Sequence, residues 1–195
     1  SPYSAAILTG LTAELSQRDY HLLISPIQVG EDAAPLQRLL RSGRLDGLVV
    51  RLVEDSPATV ALLEMIAATG MPCVCIERPA DPRSGFSSVV VNDEAGAFDA
   101  VAYLAERGHR RIAHVAGDRR YASAQAREAG YRRALSASDL PSDEDLIVCG
   151  SWAPLAVDAA LETLLALPEP PTAIFAASDS LAFRIVEVAR ARGRR

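Results

Sequence analysis

Four side chains in the second half of the chain combine types and positions that suit small-molecule binding. Arg127 follows the apolar run at 112–116 and a short polar loop. Its guanidinium offers a planar fork of donors that can hold a carboxylate or two adjacent hydroxyl groups. Trp152 comes after another apolar run and can stack on a sugar or purine ring. Ser178 and Asp179 precede the last predicted helix, whose free amide groups can bind polar ligand groups.

Each of these side chains also has a plainer structural interpretation. Arg127 could be a solvated helix residue or the partner of an Asp or Glu across a crevice, and Trp152 could cover the local core. Ser178 and Asp179 suit a helix cap, because a short polar side chain satisfies the free amides there. We expect the helix that carries Arg127 to begin near Ser123, which places Arg127 in its first turn. The helix dipole disfavours a cation in that turn, so its presence favours a specific role.

Apolar runs alternate with amphipathic segments along the whole chain, which predicts an α/β fold. The runs are continuous, as in parallel strands that helices cover on both faces. A helix is expected after the fourth strand, with Asp93 as its cap. The predicted strands lie at 20–25, 46–50, 72–76, 89–91, 112–116, 146–148 and 172–176, with one helix from about 3 to 18 before them and one from about 179 to 192 after them.

A loop at 77–88, rich in proline and glycine, separates two series of strands and helices. We therefore predict two doubly wound parallel-sheet, Rossmann-like subdomains, at 1–91 and 92–195. We expect the first to lack its first strand and the second its final strands, because the chain opens on a helix and closes on a helix stop. In such sheets the ligand lies beyond the carboxyl ends of the strands. That rule adds further candidate contacts, which are Tyr3, Ser4, Arg78, Tyr121 and Ser123.

The charge and hydropathy of the chain exclude two kinds of partner. A formal net charge of −5 argues against a nucleic-acid surface on these residues, since DNA affinity depends mainly on neutralising phosphates. No apolar run approaches the roughly 18 residues of a membrane span, and the N-terminus lacks the pattern of a signal peptide. We expect a cytoplasmic protein without a membrane partner.

Motifs for catalysis, cofactors and metals are missing from the sequence. There is no glycine-rich dinucleotide or phosphate loop, no nucleophile elbow and no zinc-protease motif. The three histidines show no ligand spacing, and Cys73 and Cys75 on one strand face are typical of buried thiols. We expect no metal, no cofactor and no enzyme activity. A Rossmann-type enzyme with Asp93 or Asp179 as its base is an alternative that these absences disfavour.

The order and spacing of several motifs resemble the effector-binding core of the lactose/galactose-repressor (LacI/GalR) family of bacterial transcription regulators. They include Val-Asn-Asp-Glu-Ala-Gly-Ala at 91–97 and Arg-Glu-Ala-Gly-Tyr-Arg-Arg-Ala-Leu at 127–135. They continue with Pro-Thr-Ala-Ile-Phe-Ala-Ala-Ser-Asp at 171–179. Further matches are Ser-Pro-Tyr at 1–3, Arg-Leu-Asp-Gly-Leu-Val-Val at 44–50, Pro-Cys-Val-Cys-Ile-Glu-Arg at 72–78 and Leu-Ala-Glu-Arg-Gly-His-Arg-Arg-Ile at 104–112.

The resemblance implies a periplasmic-binding-protein-like core, in which two subdomains enclose a small effector, and a homodimer. It assigns effector contacts to Arg127, Trp152 and Ser178, and it places Tyr121 and Ser123 at loop positions that often face the ligand. Arg78 falls at another such position. Relatives usually carry an N-terminal helix-turn-helix, which this chain lacks, so operator DNA is expected to be contacted only through that segment.

The resemblance thus predicts the ligand-sensing and dimerisation domain of a DNA-binding transcriptional regulator. Its effector is expected to be a sugar, a nucleoside or a purine-like molecule that controls operator binding allosterically. A periplasmic sugar-binding protein of an uptake system is the alternative with the same architecture. The identity of the effector and its action as inducer or corepressor stay open at this point.

Overall fold

The computed structural model describes residues 2–27, 34–52, 54, 56–153 and 155–193. The chain forms two compact units, Ser1–Ala33 and Ala34–Arg195. The first unit contains one long helix, α1 (Pro2–Ser16), in agreement with the helix predicted from about 3 to 18.

The strand predicted at 20–25 is wrong. Residues 20–27 form neither helix nor strand, and the side chains of Leu23 and Ile24 are 62% and 61% exposed. A parallel strand is stabilised by hydrogen bonds to a neighbouring strand, and an apolar run carries no information on whether that neighbour is present. The apolar composition of this segment was therefore a misleading signal.

The second unit alternates helices and strands, as predicted. The helices are α2 (Ala34–Leu40), α3 (Pro57–Ala67), α4 (Asp93–Glu106), α5 (Ala122–Ala137), α6 (Ala156–Leu165) and α7 (Asp179–Ala191). The strands are β1 (Leu48–Val50), β2 (Cys73–Ile76), β3 (Ser87–Val89), β4 (Ile112–Ala116), β5 (Ile147–Cys149) and β6 (Ala173–Ala176). Short 3₁₀ turns occupy Pro82–Ser84 and Glu144–Leu146.

Two parallel sheets organise this unit. One has the strand order β1-β2-β3, and the other has the order β5-β4-β6. The predicted α/β class with parallel sheets is confirmed. In the sequence, all strands of the first sheet precede residue 92 and all strands of the second follow it. The division into subdomains at 1–91 and 92–195 itself stays a prediction.

The strand predicted at 89–91 begins and ends earlier, as β3. Its last ladder pair joins Val89 to Ile76 of β2, and Glu77 then turns away with a φ of 64°. Because β2 ends there, Val90 and Val91 have no strand to pair with and are exposed. The run of three valines marked the right region, but the partner strand decided the register.

The cap of α4 is Asn92 rather than Asp93. The Asn92 side chain accepts a hydrogen bond from the Ala95 amide at 3.1 Å, and Asp93 is the first helical residue. Both residue types are good caps, so the sequence did not distinguish between them. The carboxylate of Asp93 is thereby available for a different contact.

Strand β4 is the centre of the second sheet, and all five of its residues are buried. On one side, Ala113 and Val115 pack in a cluster with residues of α6 and α7. On the other, Ile112 packs with residues of α4 and α5, among them Val101 and Tyr131. This two-sided core holds the carboxyl end of β4 in place, and the loop that follows leads directly into α5.

The packing of α4 against α5 depends on Gly130. A Cβ atom at this position would lie 2.2 Å from the Glu94 carbonyl oxygen and 2.9 Å from the Ala97 Cβ. We expect Gly130→Ala to force the helices apart and to lower the free energy of unfolding by about 1–3 kcal/mol, the usual cost of overpacking. Urea denaturation followed by circular dichroism measures this change.

Gly96 provides the matched control, because it lies inside α4 and a Cβ atom added there would meet no atom within 4 Å. Gly96→Ala is expected to leave stability unchanged or to raise it by up to about 1 kcal/mol, through the better helix propensity of alanine. Equal stability of the two alanine variants would contradict the close helix contact at Gly130.

Candidate functional site

Arg127 lies in the second turn of α5, because this helix begins at Ala122. The prediction that it occupies the first turn is wrong, and the helix dipole does not disfavour its charge there, since that effect falls off within one turn. Even from the predicted start at Ser123, Arg127 would be the fifth residue of the helix, which is beyond a first turn of about 3.6 residues. Its role must therefore be judged from its contacts.

Three hydrogen bonds hold the Arg127 guanidinium. Its Nε and Nη2 donate to Asp93 Oδ1 at 3.0 and 2.8 Å, and its Nη1 donates to the Ala177 carbonyl oxygen at 2.6 Å. The expectation of an acidic partner is thus met by Asp93, at the start of α4. The arginine joins two elements that are far apart in the sequence, α4 and the end of β6.

These contacts leave part of the guanidinium available. Arginine has five N–H donors, and Asp93 and Ala177 take three of them. Within the part of the chain that the structure describes, one N–H of Nη1 and one of Nη2 have no acceptor. Two such donors on one guanidinium can bind a ligand that carries more than one oxygen atom.

Trp152 lies beside Arg127 and continues the same surface. The Arg127 Cζ atom is 5.7 Å from the centre of the indole ring, within the range of a cation–π contact. Tyr121 meets the indole edge-on, with ring centroids 5.8 Å apart. The structure thus brings three of the predicted site residues together.

The indole is also part of the core, so the alternative of a local lid is met as well. Trp152 packs against the cluster that contains Val115 and Leu181, and its Nε1 is buried without a partner among the described residues. Gly117 makes room for it, since a Cβ there would lie 2.5 Å from the indole Cη2 and Cζ2 atoms. A glycine directly after β4 is therefore required by the position of the indole.

Ser178 and Asp179 form the start of α7. The Ser178 side chain accepts a hydrogen bond from the Leu181 amide at 3.4 Å, so its predicted capping role is observed. Its neighbour Ala177 accepts the bond from Arg127, which sets this helix start next to the guanidinium. Asp179 is exposed.

Tyr121 and Arg78 both meet Glu54, which sequence reasoning did not select. The backbone of Tyr121 forms an isolated antiparallel bridge with Glu54, and Arg78 Nη1 donates to the Glu54 carbonyl oxygen at 3.3 Å. Arg120 adds an ion pair to the Glu54 carboxylate at 3.7 Å. Residues that follow β1, β2 and β4 are thus linked. Ser123 is half-buried in the first turn of α5.

Tyr3 and Ser4 lie in α1, in the first unit, where Tyr3 is exposed and Ser4 is half-buried. Their assignment to the ligand site stays a prediction.

The two residues that sequence reasoning missed beside Arg127 are Asp93 and Ala177. A signal for Asp93 was present, because Asn92 and Asp93 are both capping residues and one helix needs only one of them.

His114 of β4 is a core residue rather than a ligand contact. It is fully buried, with its ring stacked between Tyr131 and Phe175 at centroid distances of 5.2 and 4.9 Å. Nδ1 donates to the Phe175 carbonyl oxygen at 3.1 Å, and Nε2 has no partner among the described residues. Burial lowers the pKa of His114 to about 4, so the imidazole is neutral at neutral pH.

The two cysteines of β2 are buried, and burial raises the pKa of Cys73 to about 12. They behave as small apolar side chains rather than as reactive thiols.

Among the residues that the structure describes, no three His, Cys, Asp or Glu side chains are grouped so that they could hold a metal ion. In the same residues, no helix has the length and hydropathy needed to cross a membrane.

Comparison with known proteins identifies a consistent set of relatives. Residues 1–195 match the family described as periplasmic binding proteins and sugar binding domain of the LacI family. The transcriptional regulator CelR of Thermobifida fusca is 33% identical over 100% of this chain and 56% of its own length. The transcriptional repressor CytR of Escherichia coli K12 is 28% identical over 98% of this chain and 55% of its own length. The chain thus spans about half the length of these curated relatives.

Solved structures agree with these relatives. A complex of the transcriptional regulator CelR with cellobiose has a TM-score of 0.85 and 32% identity, and it covers 100% of this chain and 59% of that one. A putative LacI transcriptional regulator from Bacillus cereus has a TM-score of 0.87 at 21% identity, over 100% of this chain and 68% of that one. The second likeness supports the fold alone. The expected resemblance and the expected fold are confirmed.

Proposed function

Because this chain belongs to the family of periplasmic binding proteins and sugar-binding domains of the LacI family, we propose that it is the effector-sensing domain of a DNA-binding transcriptional regulator. The observation that carries the proposal is the placement of Arg127 beside Trp152, where β4, β5 and β6 end, with two N–H groups that have no acceptor among the described residues. Parallel sheets of this type bind ligands at that edge.

The proposed ligand is a small molecule with two adjacent oxygen atoms and a ring face. The Arg127 donor pair holds the oxygen atoms, and the indole of Trp152 packs against the ring. Sugars and nucleosides carry both features. Tyr121, Ser123, Ser178 and Arg78 are proposed to complete the site, with Asp179, Tyr3 and Ser4 as further candidates. Related CelR has been solved with cellobiose, which makes this disaccharide a sensible first probe.

The ligand is proposed to act through the arrangement of the two predicted subdomains. It stabilises the arrangement in which it has most contacts, and a homodimer transmits that preference to operator DNA. DNA is bound through a helix-turn-helix outside these 195 residues, which agrees with their net charge of −5. The protein acts in the cytoplasm and has no catalytic role. Relatives such as CelR and CytR are regulators, which favours this function over a periplasmic uptake protein.

Isothermal titration calorimetry of the chain against a panel of sugars, nucleosides and purines tests the proposal. We expect saturable one-site binding for one class of the panel, with cellobiose as the first sugar. Heats no larger than those of dilution for every member of the panel would contradict a sensing function.

A further inference from the structure

The structure assigns to Asp93 the role of a positioning residue, which orients the Arg127 guanidinium and neutralises its charge, so that the site prefers a neutral ligand to an anion. This inference deepens the proposed function and rests on it. Asp93 is not placed in contact with the ligand. Its effect reaches the ligand through Arg127.

The geometry of Asp93 supports a role beyond that of a helix cap. Asn92 already caps α4 through its bond from the Ala95 amide, so the cap does not need the Asp93 carboxylate. One oxygen of that carboxylate instead accepts both Nε and Nη2 of Arg127. The two side chains are only 16% and 27% exposed, which distinguishes them from a solvated surface pair.

The bonds to Asp93 and Ala177 define the direction of the remaining donors. Asp93 holds one side of the guanidinium plane from the start of α4, and the Ala177 carbonyl oxygen holds Nη1 from the end of β6. A plane anchored from two elements cannot rotate without breaking a bond. The free N–H groups of Nη1 and Nη2 are thus preorganised, which reduces the entropy lost on ligand binding.

The charges of the pair decide the kind of ligand. Asp93 Oδ1 lies 2.8 Å from Arg127 Nη2. The negative charge of the carboxylate and the positive charge of the guanidinium sum to zero. A phosphate or carboxylate at the free donors would approach Arg127 but would also meet the negative field of Asp93. Hydroxyl groups accept the same two hydrogen bonds without that repulsion. The site therefore selects a neutral polyhydroxylated molecule over its anionic analogue.

The positioning role has a readout that needs no ligand, because Trp152 is the only tryptophan of the chain. In Asp93→Ala, Arg127 loses two of its three bonds and leaves its place over the indole. We expect the emission maximum of Trp152 and its quenching by acrylamide to change in this variant. Asp99→Ala is the control, since Asp99 is an exposed residue of the same helix. Identical spectra for the two variants would overturn the positioning role.

The charge effect is tested with inorganic phosphate as the probe. Asp93→Asn keeps an oxygen acceptor in the same place but removes the negative charge, so Arg127 is left uncompensated. We expect Asp93→Asn to bind phosphate about tenfold more tightly than the wild type, because the negative field of the Asp93 carboxylate no longer opposes the anion. The gain must disappear in the double variant Asp93→Asn, Arg127→Ala. No gain in Asp93→Asn, or a gain that survives without Arg127, would overturn the charge effect.

The two proposals fail separately. If no sugar, nucleoside or purine binds the wild type, the proposed function fails, while the Trp152 emission and the phosphate titration still decide the role of Asp93. If a neutral ligand binds and Arg127→Ala removes that binding, but Asp93→Ala binds as well as Asp99→Ala does, the role of Asp93 fails and the proposed function stands. Thermal unfolding of each variant confirms that the compared proteins are folded.

Discussion

Replacing Arg127 with alanine is expected to weaken effector binding by about a hundredfold or more, because two charge-assisted hydrogen bonds from the free Nη1 and Nη2 groups are lost. The remaining contacts of the guanidinium, to Asp93 and Ala177, are intramolecular. They fix the donors but contribute nothing directly to the ligand. The loss should appear in the dissociation constant from calorimetry, measured with the panel member that binds the wild type.

Two further variants identify the cause of that loss. Arg133→Ala removes an exposed arginine from the same helix, where it pairs with Glu94, and should leave ligand affinity unchanged. Arg127→Lys keeps the positive charge but has no planar fork, so it should bind nearly as weakly as the alanine variant. Wild-type affinity in Arg127→Ala would remove this residue from the site and with it the central contact of the proposed function.

Acid is expected to destabilise the folded chain through His114. Its pKa is about 4 in the folded protein, against an ordinary value of 6.5, because the buried imidazole has lost its hydration. The unfolded state therefore binds a proton more readily than the folded state between these two values. Well above pH 6.5 neither state is protonated at His114, and the residue contributes no pH dependence. As the pH falls from 6.5 to 4, the free energy of unfolding decreases, by about 2 kcal/mol at pH 5.

The measurement is urea denaturation at pH 7 and pH 5 for the wild type and for His114→Phe. Phenylalanine keeps an aromatic ring between Tyr131 and Phe175 and cannot be protonated, so the loss between the two pH values should shrink by the amount due to His114. His21→Gln is the control, since His21 is exposed in the first unit. An equal pH dependence in the wild type and in His114→Phe would contradict a depressed pKa for this histidine.

The elements of the second unit were predictable because their signals are local. Continuous apolar runs marked β1, β2, β4, β5 and β6 to within one or two residues at each end. The start of α7 followed from Ser178, whose side chain bonds an amide three residues later. Signals of this range depend on neighbouring residues alone. They can therefore be read from a single sequence.

The errors arose where a partner distant in the sequence decides the outcome. Residues 20–25 have the composition of a strand but no ladder, and the valines at 89–91 extend past the end of β2. Composition reports how well a segment suits burial on a pleated surface. It does not report whether another strand lies beside it.

The candidate site shows the same division. The sequence placed Arg127, Trp152, Tyr121 and Ser178 at the ends of strands, and the fold brings the first three into contact. It did not predict that Arg127 bonds to a residue 34 positions earlier and to another 50 positions later. Those bonds depend on how α4, α5 and β6 pack around β4.

The sequence by itself determined the family, the α/β class and the choice of Arg127 as the central residue, because ordered motifs and apolar periodicity are properties of the chain. Only the tertiary structure decided how Arg127 is used. The fold sets Asp93 against one side of its guanidinium and the Ala177 carbonyl against another, which leaves two N–H groups without an acceptor among the described residues and offsets the charge. Hydrogen bonds are short and directional, so their partners are chosen by packing in three dimensions rather than by spacing along the chain.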